Sequence, residues 1–204
     1  MPSAVVFIDF QNTCLGARDR FYPREPAYKG TFDPLKLATL VVSRRLEPTA
    51  LVAVHVYRGL PDATLEPKGH AAAMRQKVAH EAAGRGLVIY HHRPLRYPAG
   101  FPRERPQEKG VDVELAIDFV RLAVQRAYEV GILISCDTDL RPALETVLSL
   151  QSPRSMYPRC EVAAWRGDSG FAPRLSISTA RLWCHWLSRP DFVSVADGTD
   201  YTRP

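Results

Sequence analysis

Several protein classes are ruled out by what this chain lacks. It has only four cysteines in 204 residues, Cys14, Cys136, Cys160 and Cys184, far apart and with no CxxC spacing. That argues against a disulfide framework or a zinc knuckle and fits a reducing, cytoplasmic setting. No run approaches the roughly 18 apolar residues of a membrane-spanning helix, so no membrane contact is expected. The first residues, Met1 to Asp9, carry no basic segment and soon meet an acid, unlike a secretory signal. The 12 glycines form neither GxGxxG nor a P-loop, which removes the usual dinucleotide and nucleoside-triphosphate cradles. No internal repeat or low-complexity block is present. Charge of one sign is also scarce. The 27 Lys and Arg against 22 Asp and Glu leave +5, which permits a nucleic-acid partner without requiring one.

What is present is an ordinary globular composition, 46% hydrophobic and 24% charged. A chain of this length makes one domain and buries about 70% of the surface its unfolded form exposes. Short apolar runs alternate with helix-like segments. Ala4–Phe10, Leu51–Tyr57, Leu87–His91, Gly131–Cys136 and Cys160–Trp165 read as strands. Asp33–Leu46, Pro67–Arg85, Asp112–Tyr128 and Leu140–Leu150 read as helices. Asp33 and Pro34 supply an N-cap and a first-turn proline, and Gly84 and Gly86 close the second helix. Leu182–Leu187 reads as a sixth strand or a helical turn, and Ser188–Asp191 as a helix start. The polar tail from Asp197 is expected to pack over the domain. Strands apolar on both faces belong to a parallel sheet covered on both sides. The expected fold is therefore α/β: a doubly wound, mainly parallel sheet of five or six strands with helices on both faces.

In such sheets ligands bind beyond the carboxyl ends of the strands. Strand one ends Ile8-Asp9-Phe10-Gln11-Asn12, and strand four ends Ser135-Cys136-Asp137-Thr138-Asp139. Lys109-Gly110-Val111-Asp112 opens the helix between them. Crossover geometry brings Asp9, Asp112, Asp137 and Asp139 around one crevice, with Asn12 beside them. Clustered carboxylates repel unless a divalent cation joins them, and Mg²⁺ takes such hard oxygen ligands. Cations held this way activate water and clamp an in-line displacement at phosphorus. Each acid also has an ordinary alternative role: Asp112 and Asp139 could cap the helices that follow them. A phosphatase with an Asp-x-Asp nucleophile pair is disfavoured, because Gln11 stands where the second acid belongs.

The segment from Arg93 to Lys109 sets five cations (Arg93, Arg96, Arg103, Arg105, Lys109) against Glu104 and Glu108, a net +3 in 17 residues. Tyr97 and Phe101 lie between them. Charge for phosphates and rings for bases suit a single-stranded nucleic-acid groove. The plain alternative is a solvated, proline-stiffened loop. Asp118 follows Asp112 by six positions, about 600° around a helix, so they do not share a face. Glu114 and Asp118 do share one. Asp118 therefore reads as outer support to the metal site or as a solvated acid. No metal-type histidine spacing appears, and Trp183 and Trp186 read as packing residues.

FIDFQN with Asp9 and Asn12, KGVDVELAID with Asp112 and Asp118, and SCDTDL with Asp137 and Asp139 together resemble the NYN domain, a branch of the PIN-like nuclease superfamily. The likeness spans residue 4 to about residue 165, with Cys136 in place of the usual glycine. It implies Mg²⁺ or Mn²⁺ held by Asp9, Asp112, Asp137 and Asp139, with Asn12 as a further ligand or water-orienting group and Asp118 and Thr138 in support. It implies endonucleolytic hydrolysis of single-stranded or structured RNA by metal-activated water, leaving a 5′-phosphate. The alternative it leaves is a silent RNA-binding or regulatory module, and it allows a homodimer. On this reading residues 1–170 form the catalytic domain and 171–204 an extension packed on it.

Overall fold

The computed structural model describes residues 1–152, 155–167 and 172–203. Its strands are β1 (Ser3–Asp9), β2 (Ala50–Leu60), β3 (Val88–Pro94), β4 (Val130–Ile134), β5 (Arg159–Trp165) and β6 (Trp183–Leu187). Its helices are α1 (Phe10–Phe21), α2 (Pro34–Ser43), α3 (Pro67–Gly84), α4 (Val111–Val124), α5 (Arg141–Ser149) and α6 (Arg189–Val195). The strands form one sheet in the order β3-β2-β1-β4-β5-β6. Every pairing is parallel. The expected sheet is thus present with six strands, and 183–187 is a strand rather than a helical turn.

β1 runs through the middle, and its residues from Ala4 to Asp9 are all buried. This is why the segment shows no in-out alternation: both faces are covered. Ala4, Val6 and Ile8 pack toward α1, α2 and α6, with Ala17, Phe21, Leu37, Val41 and Phe192. Val5 and Phe7 face α4 and α5, with Leu115, Phe119, Leu144 and Val147. The chain order reverses between β1 and β4. In doubly wound sheets that reversal opens a crevice at the strand ends, where ligands bind.

Several boundaries differ from the sequence expectation. The helix α1 was not expected at all. It starts directly on the strand, because Asp9 is at once the last residue of β1 and the N-cap of α1. Its buried residues, Phe10, Thr13, Cys14, Ala17 and Phe21, follow helical spacing, but Thr, Cys and Ala make a weak stripe. α2 stops at Ser43 and leaves Leu46 95% exposed. α4 ends at Val124 rather than Tyr128, because Arg126 takes the left-handed conformation (φ 56°). The chain then folds back so that the Tyr128 hydroxyl donates to the Phe119 carbonyl at 2.7 Å.

The C-terminal segment is built into the same layers. Glu161 of β5 is gripped by Arg45, whose Nε donates to both carboxylate oxygens at 3.1 Å, and lies 2.8 Å from His185 Nε2 of β6. The tail rests on α3, where Asp197 Oδ2 sits 2.9 Å from His80 Nε2 and accepts from the Tyr201 hydroxyl at 2.9 Å.

Candidate metal and nucleic-acid site

Asp9 is the centre of the strand-end crevice. Its Oδ1 accepts from the Asn12 amide at 3.1 Å and its Oδ2 from the Ser135 hydroxyl at 3.1 Å. Ser135 is buried just past β4, and its hydroxyl oxygen accepts from the Asp137 amide at 3.1 Å. Asp137 Oδ1 in turn accepts from the Asp139 amide at 2.9 Å, capping a short 3-10 turn. A second brace crosses the crevice. Asn12 Oδ1 accepts from the Cys136 amide at 2.9 Å, and the Thr13 hydroxyl donates to the Ile134 carbonyl at 3.1 Å. The ends of β1 and β4 are therefore tied by three bonds through short polar side chains. Asn12 thus uses its side-chain oxygen in this brace.

The other wall comes from the loop before α4. Gly110 occupies the N-cap of α4 at φ 76°, so Asp112 lies in the first turn and does not cap it. Asp139 does not cap α5 either, whose N-cap is Leu140 with no side-chain bond. Glu108 was counted in the sequence only as part of the loop's charge balance. The fold turns it inward. The Gly59 amide donates to its Oε1 at 2.5 Å, and the Gln11 side-chain amide, oriented with its nitrogen toward Glu108, donates to the two oxygens at 2.9 and 2.8 Å. Burial pushes Glu108 up from the ordinary carboxylate range, and the Asp112 charge adds to this. No local pattern marked it, because a glutamate among arginines reads as charge balance. An open cavity of about 350 Å³ borders it, lined by Phe10, Gln11, Arg58, Gly59 and Leu95 among others. A larger cavity, about 660 Å³, lies elsewhere, against the C-terminal tail.

Burial raises the Asp9 carboxyl to about 7, with Glu108 and Asp137 pushing the same way against its two hydrogen bonds. Among the described residues none of Asp9, Glu108, Asp112, Asp137 and Asp139 makes an ion pair. Arg58 lies near enough to Glu108 to favour its charge, but nearby oxygen acids without a close ion pair are a donor set suited to a hard divalent ion. The set is looser than expected. Asp137 and Asp112 are half-buried, and Asp139 and Thr138 are exposed at the rim. Among the described residues, no three of these acids bring carboxylate oxygens within 4.8 Å of one another, whereas His91, Glu114 and Asp118 do form such a group.

Asp118 is not the solvated acid that one sequence reading allowed. It is buried, accepts from the Tyr57 hydroxyl at 3.0 Å and pairs with Arg121 at 2.7 Å. Asp9 and His91 both stand in register with Tyr57, on opposite sides of it. Asp118 thus belongs to a separate cluster on the far side of that tyrosine.

Arg93, Arg96, Arg103, Arg105 and Lys109 are all exposed. Arg96 and Gln107 exchange backbone bonds at 2.9 Å, which folds the basic loop into a narrow ribbon. Its two rings are less free than expected. Tyr97 and Phe101 meet edge to face at 4.9 Å, and the Tyr97 hydroxyl donates to Glu66 at 2.5 Å. Trp183, expected to pack, is 58% exposed, near Arg174 and Arg181. All four cysteines are free. Burial pushes the Cys136 thiol up, so it is no thiolate nucleophile. Among the described residues no helix is long and apolar enough to cross a membrane.

No curated protein matches the chain. Among solved structures, a protein of unknown function from Vibrio parahaemolyticus shares the fold with a TM-score of 0.51 at 16% identity, over 94% of each chain. The family model described as NYN domain matches residues 3–152, a span that runs from β1 through α5 and contains every acid of the crevice. The chain belongs to the NYN domain family, within the PIN-like nuclease superfamily.

Proposed function

We propose that this protein is a metal-dependent endoribonuclease whose site is the strand-end crevice. The observation that carries the reading is the unpaired acid set around Asp9, braced by Ser135 and Asn12 at the crossover point of the sheet. Asp9, Asp112 and Asp137 would hold Mg²⁺ or Mn²⁺, with Glu108 on the inner wall and Asp139 at the rim. The ion supplies Lewis-acid stabilisation of a phosphodiester and lowers the pKa of water. The chain's own work is positional. Ser135 and the Asn12 amide fix both oxygens of Asp9, and Asn12 Oδ1 fixes the turn that carries Asp137. The exposed arginines of the loop from Arg93 to Lys109 supply phosphate contacts that guide single-stranded RNA toward the acids.

The test compares wild type and Asp137→Asn on labelled single-stranded RNA in Mn²⁺ or in EDTA. Asp137 is half-buried, and asparagine keeps an oxygen for the Asp139 amide. Cleavage should need the metal and fall by about 100-fold or more in the variant. Equal cleavage by both proteins would identify a contaminant. Tight RNA binding without cleavage by wild type would identify a silent RNA-binding module instead.

A further inference from the structure

The His91 cluster lies outside that crevice. The His91 ring lies flat on the Tyr57 ring, with centroids 4.5 Å apart and planes 10° apart. Its Nε2 is 2.9 Å from His55 Nδ1. With Nε2–H donated to His55, Nδ1 turns its lone pair toward α4. There Glu114 Oε1 and Asp118 Oδ2 each stand 3.7 Å from that nitrogen, too far for a hydrogen bond. The three atoms lie within 4.8 Å of one another. Zn²⁺ binds nitrogen and oxygen at about 2.0–2.2 Å, which spaces tetrahedral ligands about 3.4 Å apart. The two nitrogen–oxygen distances exceed that spacing by only a few tenths of an ångström.

The surroundings also suit ligation. Glu114 and Asp118 are four residues apart on one helix face, so both present a carboxylate to the same side. Each has an outer oxygen anchored by an arginine: Glu114 Oε2 by Arg93 at 3.3 Å and Asp118 Oδ1 by Arg121 at 2.7 Å. The inner oxygens face the imidazole. Partners behind ligands commonly fix their orientation in this way, as His55 does for His91. Glu114 and His91 are half-buried, so an ion has a route in from solvent.

We infer that His91, Glu114 and Asp118 bind a divalent transition-metal ion of the Zn²⁺ or Mn²⁺ class, at a site separate from the Asp9 crevice. One imidazole with two carboxylates favours such ions over Mg²⁺, which prefers oxygen alone. Tyr57 stands between the two sites and bonds to Asp118, so this ion would stiffen the α4 side of the sheet beside the crevice. The inference does not rest on the nuclease reading, because binding is measured without RNA.

The experiment strips the full-length protein of metal and titrates Zn²⁺ against a chromogenic chelator. It uses wild type, His91→Gln, Glu114→Gln and Asp137→Asn, with circular dichroism as the check on folding. Wild type and Asp137→Asn should share one Zn²⁺ site of the same affinity, whether or not the Asp9 crevice of wild type takes a second ion. Loss of an outer partner alone costs roughly 10–100-fold, so loss of a ligand in His91→Gln should weaken binding about 100-fold or more. Glu114→Gln lies on a half-exposed face and tests the site should the histidine variant fail to fold. It should lose about tenfold or more. Wild type that binds no Zn²⁺ would overturn the inference. So would binding that survives in both His91→Gln and Glu114→Gln while disappearing in Asp137→Asn.

Discussion

Ser135 is a small side chain that, with Asn12 and Thr13, joins the two halves of the crevice. A single hydroxyl donates to Asp9 and accepts from the Asp137 amide. Ser135→Ala should cost about 1 kcal/mol of stability, the usual worth of such bonds. RNA cleavage should fall further, by roughly 10–100-fold, as when an outer partner of a metal ligand is removed. Steady-state rates in Mn²⁺ beside a urea titration separate the two effects. A rate that does not fall would make Ser135 a brace of the fold alone. At this scale the sequence exposed Asp9, Asp112, Asp137 and Asp139 through their place after strands and before a helix. It hid Glu108, because a glutamate among arginines reads as charge balance until the chain is folded and Gly59 and Gln11 meet it.

Helix α4 carries acids of both clusters, and its first turn fixes where they point. That turn depends on Gly110 at φ 76°. A Cβ there would touch only the Arg93 side chain, at 3.4 Å, so space is not the obstacle. The cost is the left-handed backbone, about 1–2 kcal/mol for a residue other than glycine. Gly110→Ala should lower stability by that amount in denaturant titrations and shift Asp112 enough to depress cleavage. Full activity at reduced stability would show that the turn does not aim Asp112. The elements were legible where apolar residues repeat strongly. α1 was not, since its buried stripe includes Thr13, Cys14 and Ala17, and its N-cap is also the last residue of β1.

Across the whole molecule the C-terminal segment is held by charge as well as by apolar packing. Glu161 lies between Arg45 of the segment after α2 and His185 of β6, with both partner side chains almost fully buried. Burial alone would raise the Glu161 carboxyl, but bonds from His185 and Arg45 outweigh it and hold it below the ordinary range. The unfolded group titrates near 4.3. The folded state thus binds fewer protons, so this stabilisation is present above about pH 4.3 and is lost as pH falls through the lower folded value. Glu161→Gln should cost about 3 kcal/mol near neutral pH, because Arg45 is left buried without its charge partner. It should also flatten the decline of the urea midpoint below pH 4. An unchanged acid profile would assign that decline to other carboxylates. The sequence by itself determined a covered parallel sheet, since apolar runs without alternation have no other stable home. It also determined that acids end the first and fourth strands. Only the tertiary structure decided which acids share a pocket. Strand order put β1 beside β4, the Gly59 amide of β2 held Glu108 inward, and the register of Tyr57 between Asp9 and His91 set Asp118 apart. Those placements depend on contacts between residues distant in the chain, which local pattern and propensity do not encode.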